Sequence, residues 1–99
     1  MNILVVGGGG REHAIALSLF NSPQTKKLIV APGNPGISKF AECRSIAVDD
    51  IDGQCNLAKK IKADTVFIGP ETPLVLGLKD KLTELGIKAF GPTAKAAQL

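Results

Sequence analysis

A short apolar run that meets four consecutive glycines constrains the fold of this chain more than any other feature. Residues 2–6 are Asn-Ile-Leu-Val-Val, and residues 7–10 are all glycine. An unbroken β-branched and aliphatic run is typical of a strand buried on both faces, as in a parallel sheet. Because parallel strands need crossover connections, usually helices, this feature predicts an α/β fold.

Further strands and helices alternate along the rest of the chain. Strands are predicted at residues 27–31, 65–68 and 89–90, with a weaker one at 45–48. A first helix is expected over residues 11–21, and its inward positions are predicted as Ala14, Ile15, Leu17, Ser18 and Phe20. The alternation predicts a Rossmann-like, doubly wound parallel sheet of about five strands.

Two more helices are expected in the second half of the chain. Asp49, Asp50 and Asp52 suit the start of a helix that runs to about Lys62, with Leu57, Ala58 and Ile61 inward. Leu74, Leu78, Leu82 and Leu85 form one helical stripe that Gly86 ends. Gly77 lies inside that predicted helix, where glycine costs about 1 kcal/mol, and we interpret it as a site of close packing.

Composition narrows the class of protein and its compartment. The 99 residues, 44% of them hydrophobic, suffice for one core. Cys43 and Cys55 lack the spacing of a disulfide scaffold or a zinc site, and no run is apolar enough for a membrane span or a leader. We therefore expect a cytoplasmic protein without a membrane partner. The net charge of +3 is scattered and tryptophan and tyrosine are missing, so no nucleic-acid partner is expected.

Ligands of an open parallel sheet bind beyond the carboxyl ends of the strands, where the winding reverses. The sequence does not give the strand order. If the order is the common 3-2-1-4-5, residues 7–12 and 69–73 flank one crevice, and Asn34 lies at its edge.

The four glycines lead directly into a helix, where unpaired amides and the helix dipole favour a phosphate. Arg11 stands beside this turn and is able to add a two-pronged contact to an anion. The alternative is a tight turn without a ligand, although one or two glycines usually suffice for that.

Three other polar residues have both a functional and a structural interpretation. Glu71 is a candidate for sugar hydroxyls or an amine, and equally a charge that suits the start of a helix. Glu12 faces the same choice. His13 is the only histidine, and we interpret it as a helix-packing residue in preference to a proton carrier. No second ligand stands at a spacing that predicts a metal site.

A glycine-rich first turn also suggests an NAD(P)-binding domain of a dehydrogenase. Glu12 or His13 stands where the third glycine of GxGxxG belongs, and no acidic residue occurs between Glu12 and Glu42 to hold a ribose. Nicotinamide binding is therefore the disfavoured alternative. A receiver domain would need acidic residues after the first strand, where this chain has glycines.

Four strings in order carry a specific resemblance: GGGGREHA, APGNPG, GPETPLVLG and FGPTAKAAQL. As a set they resemble the amino-terminal (pre-ATP-grasp) domain of the phosphoribosylamine–glycine ligase family, over nearly all 99 residues. Residues 40–62 carry little of this signal.

The resemblance implies an ATP-grasp ligase of purine biosynthesis that joins glycine to 5-phosphoribosylamine, giving glycinamide ribonucleotide, ADP and phosphate. It implies that residues 1–99 are a substrate-binding domain, whereas ATP and Mg²⁺ are held by ATP-grasp and carboxyl-terminal domains absent from this chain. No ligase activity is expected from these 99 residues alone.

The resemblance and the crevice select the same site residues. Gly9, Gly10 and Arg11 are candidates for the substrate phosphate, and Glu12, Asn34 and Glu71 are candidates for ribose or amine. No catalytic residue and no metal ligand is assigned within the chain.

Overall fold

A five-stranded, entirely parallel sheet forms the centre of the molecule in the computed structural model, which describes residues 1–91. The strands are β1 (Asn2–Gly7), β2 (Lys27–Pro32), β3 (Glu42–Cys43), β4 (Thr65–Ile68) and β5 (Lys88–Phe90). Their order is β3-β2-β1-β4-β5. This confirms the predicted α/β, doubly wound fold and the conditional strand order. Most of the string FGPTAKAAQL, the last of the four that carry the resemblance, lies outside the described residues.

Helices cover the two faces of this sheet unequally. On one face lie α1 (Gly10–Phe20) and a short 3-10 helix (Ile37–Lys39). On the other lie α2 (Ile51–Lys60), α3 (Glu71–Val75) and α4 (Leu78–Glu84). Alternate residues of β1 feed the two cores: Ile3 and Val5 face α1, whereas Leu4 and Val6 face α2 and α4.

The inward face of α1 differs from the predicted one. Leu17 and Phe20 are 43% and 51% exposed, and Ala16 is fully buried with Ile15 and Leu19 beside it. The helical face that meets the sheet begins at Glu12, at the three- and four-residue spacing of a packed helix. The predicted helix is confirmed, and Ile15 packs inward as predicted; Glu12 was not among the predicted positions because a glutamate does not look like an inward position in a hydrophobic pattern.

The third strand lies earlier than predicted. Residues 45–48 are not a strand, and β3 instead pairs Glu42 and Cys43 with β2. The apolar residues that alternate in this segment, Ile46 and Val48, pack instead against the core that contains the inward residues of α2. There the buried Gln54 amide donates to the carbonyl oxygens of residues 46 and 47 at 3.2 Å, in place of a strand partner.

The leucine stripe forms two helices, not one. Gly77 separates α3 from α4 with φ +90°, a left-handed conformation that favours glycine. A Cβ atom there would meet nothing within 4 Å, so close packing is not its reason. Leu78 and Leu82 are buried as predicted, whereas Leu85 is 44% exposed.

The predicted start of α2 and the predicted end of α4 are both confirmed. The Asp50 carboxylate caps α2 by accepting from the Gly53 amide at 3.0 Å. Gly86 ends α4 in a Schellman motif, in which Ile87 N–H donates to the Leu82 carbonyl and Gly86 N–H to that of Thr83.

Cys55 is a buried free cysteine of α2. Its thiol packs into the core on the inward side of α2, and this burial raises its pKa above the ordinary value. Within residues 1–91, no helix combines the length and apolar character needed to cross a bilayer.

Candidate functional site

Three loops meet at the carboxyl end of the sheet, around the point where the winding reverses. They are the glycine loop (residues 7–10) after β1, the second loop (residues 33–36) after β2, and the third loop (residues 69–70) after β4. Since β1 pairs with both β2 and β4, the glycine loop lies between the other two. The three loops therefore lie side by side at the winding reversal, as the strand order 3-2-1-4-5 predicts.

The glycine loop and the second loop are joined through their backbones. The Gly33 amide donates to the Gly7 carbonyl at 2.9 Å, and a Cβ atom on Gly8 would lie 2.5 Å from the Gly33 oxygen. Gly8 is thus required because another backbone passes so close to it. The glycine loop and the second loop thus form one continuous edge at this end of the sheet.

Asn34 strengthens the same junction with both ends of its side-chain amide. Its Nδ2 donates to the Gly8 carbonyl at 2.8 Å, and its Oδ1 accepts from the Ile37 amide at 2.8 Å. The structure therefore brings Asn34 to the site, in contact with the glycine loop. Among the described residues, one Nδ2 proton and part of the Oδ1 acceptor capacity have no partner.

Glu12 fills the gap between the glycine loop and the third loop. The residue is only 7% exposed, and its Oε1 accepts from the amides of Gly8 at 3.2 Å and Gly9 at 3.0 Å. A Cβ atom on either Gly7 or Gly69 would overlap the glutamate side chain. The carboxylate thus holds two loops from different strands at a fixed separation.

The expectation that the glycine amides are unpaired is therefore wrong for Gly8 and Gly9. Their N–H groups are occupied because Glu12 is the third residue of α1 and reaches back to the helix start. This is half of a capping box, since Gly9 has no side chain to complete it. The glutamate three residues after the cap was the sequence signal.

The first turn of α1 keeps its other donors. The first helical hydrogen bond runs from the His13 amide to the Gly9 carbonyl at 2.9 Å. Within residues 1–91, the amides of Gly10 and Arg11 have no acceptor, as expected at a helix start. Arg11 itself is exposed, so its guanidinium is free to approach a ligand at these amides.

The third loop presents a carboxylate to solvent. Pro70 caps α3, and Glu71 is the exposed first residue of that helix. The Gly69 amide donates to the Val6 carbonyl at 3.0 Å, which ties this loop to the end of β1. Glu71 therefore lies just beyond the carboxyl end of β4, on the other side of β1 from the second loop.

His13 takes the packing position that the sequence favoured. Its ring centroid lies 5.5 Å from that of Phe40 at a tilt of 55°. A Cβ atom on Gly36 would come within 3.0 Å of the imidazole. The ring thus wedges α1 against the second loop.

Gln54 was not predicted from the sequence, and it contacts the end of β2 that leads into the second loop. Its fully buried amide donates to the Ala31 carbonyl at 3.2 Å, just before the second loop begins. A glutamine in an amphipathic helix gives no sequence signal for this contact. In the described part of the chain, no group of three or more His, Cys, Asp or Glu side chains is placed to hold a metal ion.

Comparison with known proteins agrees with this architecture. The family model described as "Phosphoribosylglycinamide synthetase, N domain" matches residues 1–99. Curated proteins named phosphoribosylamine–glycine ligase are similar over the whole chain. They include those of Phenylobacterium zucineum (52% identical), Xanthomonas campestris (50%) and Caldanaerobacter subterraneus (48%). The chain spans 23–24% of the length of these relatives.

Proposed function

The chain belongs to the phosphoribosylglycinamide synthetase N-domain family, and on that premise we propose that it is the amino-terminal substrate-binding domain of a longer phosphoribosylamine–glycine ligase. The intact enzyme would join glycine to 5-phosphoribosylamine in purine biosynthesis. Identity of about half over the full chain supports the proposal.

In the proposed reaction, the glycine carboxylate takes the γ-phosphoryl group of ATP, forming an acyl phosphate and releasing ADP. The amine of phosphoribosylamine then displaces inorganic phosphate and loses a proton, which gives glycinamide ribonucleotide. Activation is needed because a free carboxylate is a poor electrophile. The proposal assigns ATP and Mg²⁺ to ATP-grasp and carboxyl-terminal domains outside this chain. Residues 1–99 alone would bind the sugar phosphate without turnover.

We assign the substrate phosphate to the start of α1. The free amides of Gly10 and Arg11 point with the positive end of an 11-residue helix, and the exposed Arg11 guanidinium adds a mobile charge. Gly9 contributes the bare backbone that lets a ligand approach. This combination at the winding reversal is the observation that carries the proposal.

We assign the ribose and the amine of the substrate to side chains on the two sides of the glycine loop. Asn34 and Glu71 offer an amide and an exposed carboxylate for hydroxyl or ammonium groups. Glu12 contributes by positioning, because its Oε1 already binds two loop amides. The family match favours this ligase over the dinucleotide-binding alternative.

The substitution Arg11→Ala in the intact enzyme tests the phosphate assignment. We expect affinity for ribose 5-phosphate, measured by calorimetry, to fall about tenfold or more, as for the loss of a charge-assisted hydrogen bond. The KM for ATP should stay nearly unchanged.

Arg44→Ala is the matched control, since it removes the same charge from an exposed arginine that pairs with Glu42 beside β3. It should leave ribose 5-phosphate affinity intact. Equal losses for sugar phosphate and ATP on replacing Arg11, or equal effects of the two arginine variants, would contradict the proposed site.

A further inference from the structure

His13 connects the first turn of α1 to the second loop. It is the fourth residue of that helix, two positions after Arg11, and its amide donates to the Gly9 carbonyl at 2.9 Å. The half-buried imidazole extends toward the loop after β2, where a Cβ atom on Gly36 would lie 3.0 Å from Cε1 and 3.3 Å from Nδ1. One edge of the ring therefore lies directly against the backbone of the second loop.

The ring edge that meets Gly36 is also close to Asn34. A Cβ atom on Gly36 would lie 3.3 Å from the Asn34 Oδ1 atom, so the imidazole and this amide oxygen flank one point of the backbone. Two amides hold Asn34 there: that of Ile37 donates to Oδ1 at 2.8 Å, and that of Ser38 donates to the main-chain carbonyl at 2.9 Å. The ring thus packs on the turn that sets the direction of the Asn34 side chain.

The ring contacts both ends of the short 3-10 helix that follows the second loop. Gly36 precedes this helix (Ile37–Lys39), and Phe40 follows it. The centroids of the His13 and Phe40 rings are 5.5 Å apart at a tilt of 55°, which is a favourable geometry for an aromatic contact. Contacts before and after the same element fix its position against α1 more firmly than either contact would alone.

We propose that His13 is a positioning residue for the sugar-phosphate substrate: its ring holds the second loop, and with it Asn34, at a fixed distance from the first turn of α1. Groups that act together on one ligand must be placed to within about 0.5 Å, and a loop meets that requirement when other side chains lock it. The ring acts through its shape, because the contacts described above are with a backbone and with an aromatic ring. This inference rests on the proposed sugar-phosphate site and adds a residue to it.

Replacement of His13 in the intact enzyme tests this role, with Phe20→Ala as the matched control. The Phe20 ring also packs on Phe40, with centroids 5.5 Å apart at a tilt of 53°, but it lies about two helical turns beyond His13. Each alanine variant therefore removes one ring from Phe40, and His13→Ala also removes the contact with Gly36. Differences between the two variants report on the second loop.

Two measurements follow the loop and the binding site separately. Hydrogen exchange of the peptide that contains Ile37 and Ser38, read by mass spectrometry without any ligand, should become at least about tenfold faster in His13→Ala, because the bonds to Asn34 open more often. Affinity for ribose 5-phosphate, measured by calorimetry, should fall about fivefold or more in the same variant, because Asn34 is misplaced. Phe20→Ala should keep both quantities within about twofold of the wild type, and the KM for ATP should stay unchanged in both variants.

His13→Phe keeps an aromatic ring against the second loop, and it should restore slow exchange and most of the ribose 5-phosphate affinity. Equal effects of His13→Ala and Phe20→Ala would overturn the inference. Weak binding by both His13 variants with slow exchange at Ile37 would also overturn it, because the imidazole would then contact the ligand itself.

The Arg11 variant separates this inference from the proposed function. Normal ribose 5-phosphate affinity of His13→Ala, beside a weakened Arg11→Ala, would overturn the positioning role and leave the proposed function intact. A wild-type enzyme without affinity for ribose 5-phosphate would overturn the proposed function itself.

Discussion

The turn into α1 and the turn into α3 both follow a buried parallel strand, and both place a glutamate in the first turn of the helix. Their outcomes differ. Glu12 is buried against the glycine loop and the third loop, whereas Glu71 is exposed. Within the part of the chain that the structure describes, the amides of Gly10 and Arg11 have no acceptor, so the first turn of α1 presents hydrogen-bond donors. Pro70 and Pro73 remove two N–H groups from the start of α3.

Helix length adds to this difference. The helix α1 runs for 11 residues, whereas α3 stops after five, before Gly77 turns the chain. Aligned peptide dipoles sum along a helix, so the longer one attracts an anion more strongly. Two turns of similar local pattern therefore present different groups: the first presents backbone amide donors, and the second presents an exposed carboxylate.

Removing Glu12 should have the largest effect on this arrangement. Glu12→Ala leaves the amides of Gly8 and Gly9 without their acceptor and opens a space beside Gly69. We expect unfolding free energy to fall by about 3 kcal/mol, measured by urea denaturation. Glu84→Ala, at an exposed position of α4, should change it by less than about 0.5 kcal/mol. Equal effects of the two variants would mean that Glu12 does not hold the loops.

Adding a methyl group to Gly69 approaches the same contact from the third loop. Gly69→Ala places its Cβ against the Glu12 carboxyl group, and we expect a loss of about 2 kcal/mol from overpacking. In a protein that already carries Glu12→Ala, Gly69→Ala should lower the unfolding free energy very little, since the atoms that it would clash with are gone. Additive losses in this double-mutant cycle would show that the strain lies elsewhere.

The smallest effect should come from the glycine that shortens α3. Gly77→Ala forces a side chain into φ +90° and should cost about 1 kcal/mol, although the space around it is open. Gly10→Ala is the matched case in the first turn, because it also meets nothing within 4 Å and has no positive φ. Thermal unfolding should show a loss for the former only, and a loss of similar size for both would contradict the conformational explanation.

Much of the fold was predictable because its signals are local. Residues 3–6 and 66–68 are continuous apolar runs, and the Asp50 and Gly86 boundaries follow from side-chain and backbone preferences of single residues. The weak strand at 45–48 was misplaced because an apolar residue packed under a helix and one in a strand look alike in sequence. The leucine stripe likewise records which residues face the core, but not whether the helix is continuous.

The sequence by itself determined the alternation of strands and helices, the family, and the glycine, arginine and glutamate residues at the candidate site. The spacing of Glu12 from Gly9 already indicates a local cap at the start of α1, but only the tertiary structure places the third loop against that carboxylate. It also decided that Asn34 binds the Gly8 carbonyl, a partner 26 positions away in the chain. Such contacts depend on how strands from distant parts of the sequence are brought side by side, and no local pattern records that.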